Sequence, residues 1–347
     1  MTTLTMTTND SMNNDFSNAH SDNSLDGSFA QINWQAPWLS HLKQLNYLSA
    51  TIKQLSDDER YEQVASSDID SEFAKDARQI DIIAAVLNQA LKQQSEANNS
   101  SLPTTKPIAD NNPQALKFVS QNALPEGMGY EQFIGTTGQI PTRDNLHDLF
   151  NGSIWLSFPK TKALLNYYHM LEIAADSDSD KESKSQRGRV RDTITVFDEN
   201  GALLVTSEPS IGEALIDFDW QNSLVKPRES WDNPKLPNEN AKAAVYIFGH
   251  ALLEQLIEPR KPLCAHSVVI TVSQDFFALS TAERINYLDD KLAEYMDKLL
   301  SEQNVTPRKL APLPILGVPH FWPENINPEF YEDKFVFRSG RHRQRTR

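Results

Sequence analysis

Polar side chains that can transfer protons or bind anions gather in one stretch, IPTRDNLHDLFNGSIW, which begins at residue 140. Arg143, His147 and Asn151 follow one another at four-residue steps, so a helix would place them on one face. Arginine can grip a carboxylate or phosphate through two parallel hydrogen bonds, and histidine can act as an acid or base near neutral pH. The spacing therefore predicts an anion-binding corner with a proton-transfer group beside a helix N-terminus.

The same stretch also has a purely structural interpretation. Asp144 or Thr142 would cap the helix, and Asp144 and Asp148 would suit the positive end of the helix dipole. Arg143 would then pair with a nearby acid, and His147 would hydrogen-bond within the core. A functional site instead requires a group that orients His147. The candidates for that group are Asp192, His250 and Glu254.

A second set of candidates lies in YIFGHALLEQL, where Tyr246, His250 and Glu254 recur at four-residue steps. A histidine and a carboxylate at that spacing can orient each other, bind a metal, or simply tie a helix to its neighbours. No HExxH motif, Cys/His cluster, Gly-rich phosphate loop or GxSxG elbow occurs in the sequence. The cofactor is therefore unknown, and a divalent metal is one open alternative.

Charge and composition restrict the partners. The net charge of −14 disfavours wholesale binding to nucleic-acid backbones, and the basic segment that could bind them is the tail at 338–347, with five Arg and no acid. A single Cys fits a reducing compartment, and neither a signal peptide nor an apolar run of about 18 residues is visible. The sequence predicts a cytoplasmic protein without a membrane segment.

Hydrophobic periodicity predicts one helix-rich α+β domain at 32–337. Helices are predicted at 71–94, 144–157, 160–175 and 241–257, and a Ser280/Glu283 capping box opens another. Composition predicts a disordered leader at 1–31 and flexible inserts at 97–113 and 176–187.

The strand predictions rest on two short segments. Thr and Val alternate up to the dipeptide Asn200-Gly201, which predicts a β-hairpin at 191–206. SVVITV at 267–272 predicts a buried strand. The proline- and aromatic-rich C-terminal segment, PLPILGVPHFWPENINPEFYEDKFVF, predicts a strap without regular structure that packs over the core.

Several spaced motifs occur together in one order: TGQIPTRDNLHDLFNGSIWLSFPKTKALLN, RDTITVFDENGALL, FGHALLE and LPILGVPHFWPENINPEFYEDKFVFR. Over roughly 115–340 they resemble a bacterial family, the domain of unknown function 3025. The resemblance implies a single intracellular domain and brings no established reaction, cofactor or partner. Where a small residue and Trp are expected in GVPxxWP, this chain has His320 and Phe321.

The resemblance places the family's patterned positions on polar residues already singled out and on several others. These positions are Pro141, Thr142, Arg143, Asn145, His147, Asp148, Asn151, Trp155, Pro159, Lys162, Asn166, Arg191, Asp192, Asp198, Glu199, Gly249, His250, Glu254, Gly317, Pro319, Trp322, Pro323 and Asn325.

We expect a hydrolase-like enzyme that binds a small anionic ligand, phosphate or carboxylate. The expected catalytic residues are His147, Asp148, His250 and Glu254. The expected ligand-binding residues are Arg143, Asn145, Asn151, Trp155, Lys162, Arg191, Asp192 and Trp322. The alternative is a non-catalytic protein that binds a partner through the aromatic strap and the arginine tail.

Overall fold

The computed structural model describes residues 27–56, 81–97, 99–107, 112–175, 181–236 and 238–340. Residues 1–26 of the predicted leader, 176–180 of the predicted insert and 341–347 of the basic tail lie outside the described residues. Gly27–Gln31 forms a 3-10 helix and Phe29 is buried, so the core already includes a residue of the predicted leader.

The α-helices of the described chain supply most of its structure and carry the site. They are α1 (Tyr47–Ser56), α2 (Ile82–Ala97), α3 (Tyr130–Thr137), α4 (Leu146–Ser157), α5 (Pro159–Ala175), α6 (Lys181–Asn200), α7 (Pro209–Ile216), α8 (His250–Gln255) and α9 (Thr281–Leu300). Among the described residues, no helix combines the length and apolar composition that a membrane crossing requires.

The strands form two small sheets. They are β1 (Lys117–Ser120), β2 (Gln139–Thr142), β3 (Gly201–Thr206), β4 (Ala243–Ile247), β5 (Cys264–Thr271) and β6 (Ala311–Pro314). β1 and β2 pair in parallel, and the other sheet has the order β4-β3-β5-β6, with β3 antiparallel to β4 and parallel to β5. The predicted α+β class is therefore confirmed, and β5 contains most of the strand predicted at 267–272.

The hairpin predicted at 191–206 is wrong. The chain continues as α6 up to Asn200, and only the last six residues of the range form a strand, β3. Val190, Ile194 and Phe197 are all buried at steps of four and three, which is the period of a helix face. The Asn-Gly dipeptide marks the junction of helix and strand, and residues 181–187 of the predicted insert are helical.

The single helix predicted at 241–257 is also wrong. The segment is strand β4 followed by the short helix α8, with Gly249 between them. Every residue of β4 is buried, so the strand is a continuous apolar run that a helical stripe imitates. His250 and Glu254 nevertheless keep their helical spacing, because both lie in α8.

The remaining helix predictions agree well with the structure. α4 and α5 occupy the ranges predicted at 144–157 and 160–175, and α2 covers the described part of the helix predicted at 71–94. Ser280 accepts from Glu283 N while the Glu283 carboxylate accepts from Ser280 N, so the predicted capping box opens α9.

The insert predicted at 97–113 makes main-chain hydrogen bonds in its described part, where Thr105 N donates to Gln114 O at 2.9 Å. The strap contains some regular structure, although it was predicted to have none. The strap begins with strand β6, whose prolines are tolerated at the sheet edge. It continues through 3-10 turns and packs Phe321, Tyr331 and Phe337 into the core.

Candidate functional site

Three element ends meet at one place: the first turn of α4, the last turn of α6 and the first turn of α8. β3 follows α6 directly and pairs with β4, which leads into α8, so neighbouring strands bring α6 and α8 together. Gly249 permits the close approach, because a Cβ at this position would lie 2.5 Å from both Glu199 O and Gly201 N. The sheet thus fixes the spacing of the groups on the two helices.

His147 lies at the centre of a hydrogen-bonded row. Its Nδ1 is 2.9 Å from Glu254 Oε2, and its Nε2 is 3.0 Å from His250 Nε2. The two imidazole rings are nearly perpendicular, with centroids 4.5 Å apart. The structure therefore places His147 beside two of the three groups that were expected to orient it, His250 and Glu254.

Two acidic residues at the end of α6 complete the group. Glu199 Oε2 lies 3.6 Å from His250 Nε2, and Asp198 Oδ2 lies 3.8 Å from His250 Nδ1. One ligand atom from each of His147, Glu199 and His250 lies within 4.8 Å of the other two. We call His147, Asp198, Glu199, His250 and Glu254 the histidine cluster; two imidazoles and carboxylates at this spacing could hold a divalent metal.

A buried lysine, Lys162, forms hydrogen bonds with Asp198 of the histidine cluster. Lys162 Nζ donates to both Asp198 oxygens, at 2.6 and 2.9 Å, and to Asn151 Oδ1 at 3.0 Å. Asn151 Nδ2 in turn donates to the Tyr130 hydroxyl at 3.0 Å. Trp155 closes this network, with Lys162 Nζ 5.3 Å from its ring centroid. Lys162 is therefore fully engaged within the protein and is not positioned to bind an anion.

Burial and neighbouring charges set the protonation of the cluster. Burial opposes the ionisation of Asp198, but attraction to Lys162 and the hydrogen bonds from its Nζ outweigh burial and hold the pKa of Asp198 below its usual value. Burial lowers the pKa of His250 to about 4, so this imidazole is neutral at pH 7. Burial and the charge of Asp198 raise the pKa of Glu199.

The residues at the start of α4 have mainly structural roles. Asn145 is the N-cap, since its side chain accepts from Asp148 N at 2.8 Å, so neither Thr142 nor Asp144 caps this helix as expected. Asp144 instead accepts from Ile83 N, at the start of α2, at 2.9 Å. Asp148 is buried and holds Arg143 through Nε and Nη2, at 3.1 and 2.9 Å, so it does not reach His147 as a partner.

Arg143 keeps part of its guanidinium accessible even though it pairs with Asp148. Its side chain is 56% exposed, and Nη1 makes no hydrogen bond within the described part of the chain. The hydrogen bonds with Asp148 raise the pKa of Arg143, and attraction to Glu254 contributes in the same direction. Arg143 therefore pairs with Asp148, as the structural interpretation predicts, and it also lies next to the histidine cluster.

Three of the expected site residues belong neither to the histidine cluster nor to the residues that surround it. Arg191 and Asp192 are exposed on α6, and Asp192 is seven residues, or about 10 Å along the helix axis, before Glu199. Trp322 lies half-buried in the strap and, among the described residues, has no hydrogen bond or ring contact with the cluster. Of the three candidates for orienting His147, Asp192 is therefore the one that does not contact it, whereas His250 and Glu254 do.

The structure adds groups that sequence reasoning passed over. Asp198 and Glu199 lie within the range predicted as a β-hairpin, and neither they nor Tyr130 were among the expected site residues. Reading 190–200 as a helix would have placed both acids in its last turn, next to the sheet. The family resemblance did include Asp198 and Glu199 among its patterned positions, so a signal was present.

Residues 116–341, well over half of the chain, match a family described as "Protein of unknown function (DUF3025)". The chain belongs to the DUF3025 family. The resemblance inferred from the sequence motifs is thereby confirmed, and every member of the histidine cluster lies within the DUF3025 match. No curated protein and no solved structure matches the chain.

Proposed function

We propose that this DUF3025 protein is a hydrolase-like cytoplasmic enzyme in which His147 transfers a proton. The observation that supports the proposal is the row Glu254–His147–His250, with heavy-atom distances of 2.9 and 3.0 Å. A carboxylate behind a histidine that faces a second polar group is the arrangement that orients a general acid or base. The His147 side chain is 30% exposed, so a substrate or water can reach it.

The hydrogen-bond partners in the row Glu254–His147–His250 determine which nitrogen of His147 carries its proton. The Glu254 carboxylate is an acceptor, so His147 carries its proton on Nδ1 and has a lone pair on Nε2. That lone pair faces His250 Nε2 at 3.0 Å. A water molecule that displaces this contact and attacks an ester or phosphoester bond can give its proton to His147, which returns it to the leaving alcohol, while Glu254 stabilises the transient imidazolium. A positioned acid or base of this kind accelerates a reaction by about 10²- to 10⁴-fold.

Arg143 is the proposed binding residue for a small anion, phosphate or carboxylate. Asp148 fixes one edge of its guanidinium and leaves Nη1 directed away from that pair. Lys162 was expected to share this role, but its hydrogen bonds to Asp198 and Asn151 give it a supporting role instead. A single arginine suits a ligand with one anionic group.

The test is hydrolysis of p-nitrophenyl phosphate and p-nitrophenyl acetate by the full chain, with thermal-shift measurements in phosphate and citrate. We expect His147→Gln to lower the rate by about 10²-fold or more and Arg143→Gln to raise KM chiefly. The matched control is His320→Asn, because His320 lies in the strap with a positive φ that asparagine also adopts. Equal rates for His147→Gln and the wild type would refute the proposal.

The alternative, a non-catalytic binding protein, has its own supporting observation. Ile326 and Phe335 in the strap are 73% and 68% exposed. Exposed apolar side chains of this size can contribute to a partner interface. The prediction of this alternative is that Ile326→Ser with Phe335→Ser abolishes function in cells, whereas His147→Gln preserves it.

A further inference from the structure

We propose that His147 Nε2, His250 Nε2 and a Glu199 carboxylate oxygen bind one divalent transition-metal ion. This inference rests on the proposed function, since it assigns the same cluster as the reactive site and deepens it to metal-assisted hydrolysis: in the metal-loaded site His147 would be a ligand, and the metal, rather than the His147 Nε2 lone pair, would activate the water. It concerns Glu199, which the proton-transfer row does not use. The three ligands come from α4, α6 and α8, so no single sequence motif contains all of them.

The spacing of the three ligand atoms suits one small cation. Nitrogen and oxygen ligands lie about 2.0–2.2 Å from zinc, so neighbouring ligands in tetrahedral or octahedral sites are roughly 3.0–3.5 Å apart. The two Nε2 atoms are 3.0 Å apart, and Glu199 Oε2 is 3.6 Å from His250 Nε2. All three ligand atoms lie within 4.8 Å of one another, and the Glu199 side chain is 37% exposed.

The positions of the protons on the two imidazole rings give the strongest argument for a metal site. Because Glu254 holds a proton on His147 Nδ1, the close approach of the two Nε2 atoms requires His250 to carry its proton on Nε2 when no cation is present. His250 Nδ1 is then a lone pair 3.8 Å from the Asp198 carboxylate, and this buried atom has no hydrogen-bond partner among the described residues. A buried acceptor beside a carboxylate is unfavourable.

A cation between the two Nε2 atoms removes this conflict. The His250 proton then resides on Nδ1, which lies 3.8 Å from Asp198 Oδ2, and both Nε2 lone pairs point to the metal. No proton is gained or lost by the two rings. Each metal-bound histidine acquires a carboxylate behind its Nδ1, Glu254 for His147 and Asp198 for His250, which is the usual outer shell of a metal site.

The donor set indicates the class of metal. Two imidazoles and one carboxylate favour Zn²⁺, Fe²⁺, Mn²⁺ or Co²⁺ over Mg²⁺ and Ca²⁺, which prefer oxygen ligands. Three protein ligands leave a coordination position for water, as in catalytic zinc sites. Glu199 and Glu254 together balance the charge of a divalent ion, since Lys162 already neutralises Asp198. A metal held by these residues would lower the pKa of a bound water, and that water would supply the nucleophile of the proposed hydrolysis.

Metal-stripped full-length protein titrated with Zn²⁺ by calorimetry tests the inference, with Co²⁺ absorption as a spectroscopic measure of the ligand set. We expect one ion per chain in the wild type. We expect Glu199→Gln to weaken binding by more than about tenfold and Asp198→Asn by about 10- to 100-fold. The matched control Glu213→Gln changes an exposed carboxylate on α7 and should bind like the wild type. Urea unfolding of each metal-stripped variant verifies that it folds.

The outcomes separate the metal site from the proposed reaction. Absence of Zn²⁺, Co²⁺, Mn²⁺ and Fe²⁺ binding by the wild type would overturn the inference, as would unchanged binding by folded Glu199→Gln. If the metal-stripped protein hydrolyses its substrate as fast as the loaded protein and depends on His147, the proton-transfer proposal stands and the metal-assisted step is overturned. Metal binding that depends on Glu199, without hydrolysis of either probe, would support the metal site and count against the reaction.

Discussion

His147 and His250 face each other through their Nε2 atoms at 3.0 Å, although 103 positions separate them in the chain. His147 is partly exposed at the N-terminal end of α4, whereas His250 is buried at the start of α8. One ring can therefore meet a substrate while the other is held by the protein. The two imidazole rings therefore differ in their access to solvent and substrate.

Replacement of the carboxylate behind His147 should impair the reaction more than binding. We expect Glu254→Gln to lower kcat by roughly tenfold to a hundredfold, because an amide cannot stabilise the imidazolium as a carboxylate does. KM should change little, since Glu254 contacts His147 rather than the proposed anion site. Glu258→Gln, an exposed change four residues further on and beyond the end of α8, is the control in steady-state kinetics. A rise in KM alone would contradict the orienting role.

Removal of Lys162 should destabilise the fold. Lys162→Met leaves Asp198 buried without its cation, which costs about 3–5 kcal/mol when one member of a buried ion pair is lost. The double variant with Asp198→Asn should be less destabilised than the sum of the single variants. Urea unfolding measures these free energies. Lys92→Met breaks the exposed pair with Glu96, whose side chains are 76% and 66% exposed, and should cost under about 1 kcal/mol.

Stability should fall with acidity because buried histidines resist protonation. Burial lowers the pKa of His41 to about 4, despite a backbone hydrogen bond to Ile247 O that raises it, and burial lowers the pKa of His250 to about 4 as well. The unfolded chain takes up these protons near pH 6.5, so it binds more protons than the folded chain between pH 6.5 and 4. The contribution to stability is complete above pH 6.5 and is lost as the pH falls towards 4.

The measurement is the free energy of unfolding at several pH values. Each histidine contributes a slope of up to about 1.4 kcal/mol per pH unit in this range. His41→Gln should remove its share of the slope, since glutamine does not titrate. Identical slopes for the variant and the wild type would show that His41 is not buried in its neutral form.

The stability of helix α2, which precedes the residues matched to the DUF3025 family, should depend on Asp144. Asp144 caps the start of α2 through Ile82 N and Ile83 N, at 3.3 and 2.9 Å. Asp144→Ala should therefore reduce stability by about 1 kcal/mol, the usual cost of losing a helix cap. Glu213→Ala on α7 is an exposed control. Hydrogen exchange should locate the loss in α2, and unchanged protection there would count against this contact.

The helices that sequence reasoning predicted well carry strong local signals. α9 has a capping box and a regular apolar stripe, and Pro159 starts α5 where a proline is tolerated. The segment at 191–200 failed because Thr and Val satisfy the strand alternation while Val190, Ile194 and Phe197 satisfy the helical period. The prediction of a helix over β4 was wrong because a strand that is buried on both faces shows no alternation of apolar and polar residues.

The candidate site was predictable only where its members share one element. His250 and Glu254 keep a four-residue spacing within α8, so their pairing with a nearby histidine could be proposed from the sequence. Glu199 reaches the same place through the pairing of β3 with β4, a contact between distant segments that no local pattern encodes. The role of Lys162 was misjudged for the same reason, because Asp198 lies 36 positions away.

Gly249 has a consequence for how this centre can change. A side chain at this position would meet the main-chain atoms Glu199 O, Gly201 N and Asn200 Cα at 2.5, 2.5 and 2.6 Å, and main chain cannot rotate aside as a side chain can. A single added methyl group would therefore act as a wedge that moves His250 and Glu199 apart together with the segments that carry them. The distance between the two side chains is thus built into the polypeptide backbone, and substitutions elsewhere in the cluster can alter its chemistry without altering its dimensions.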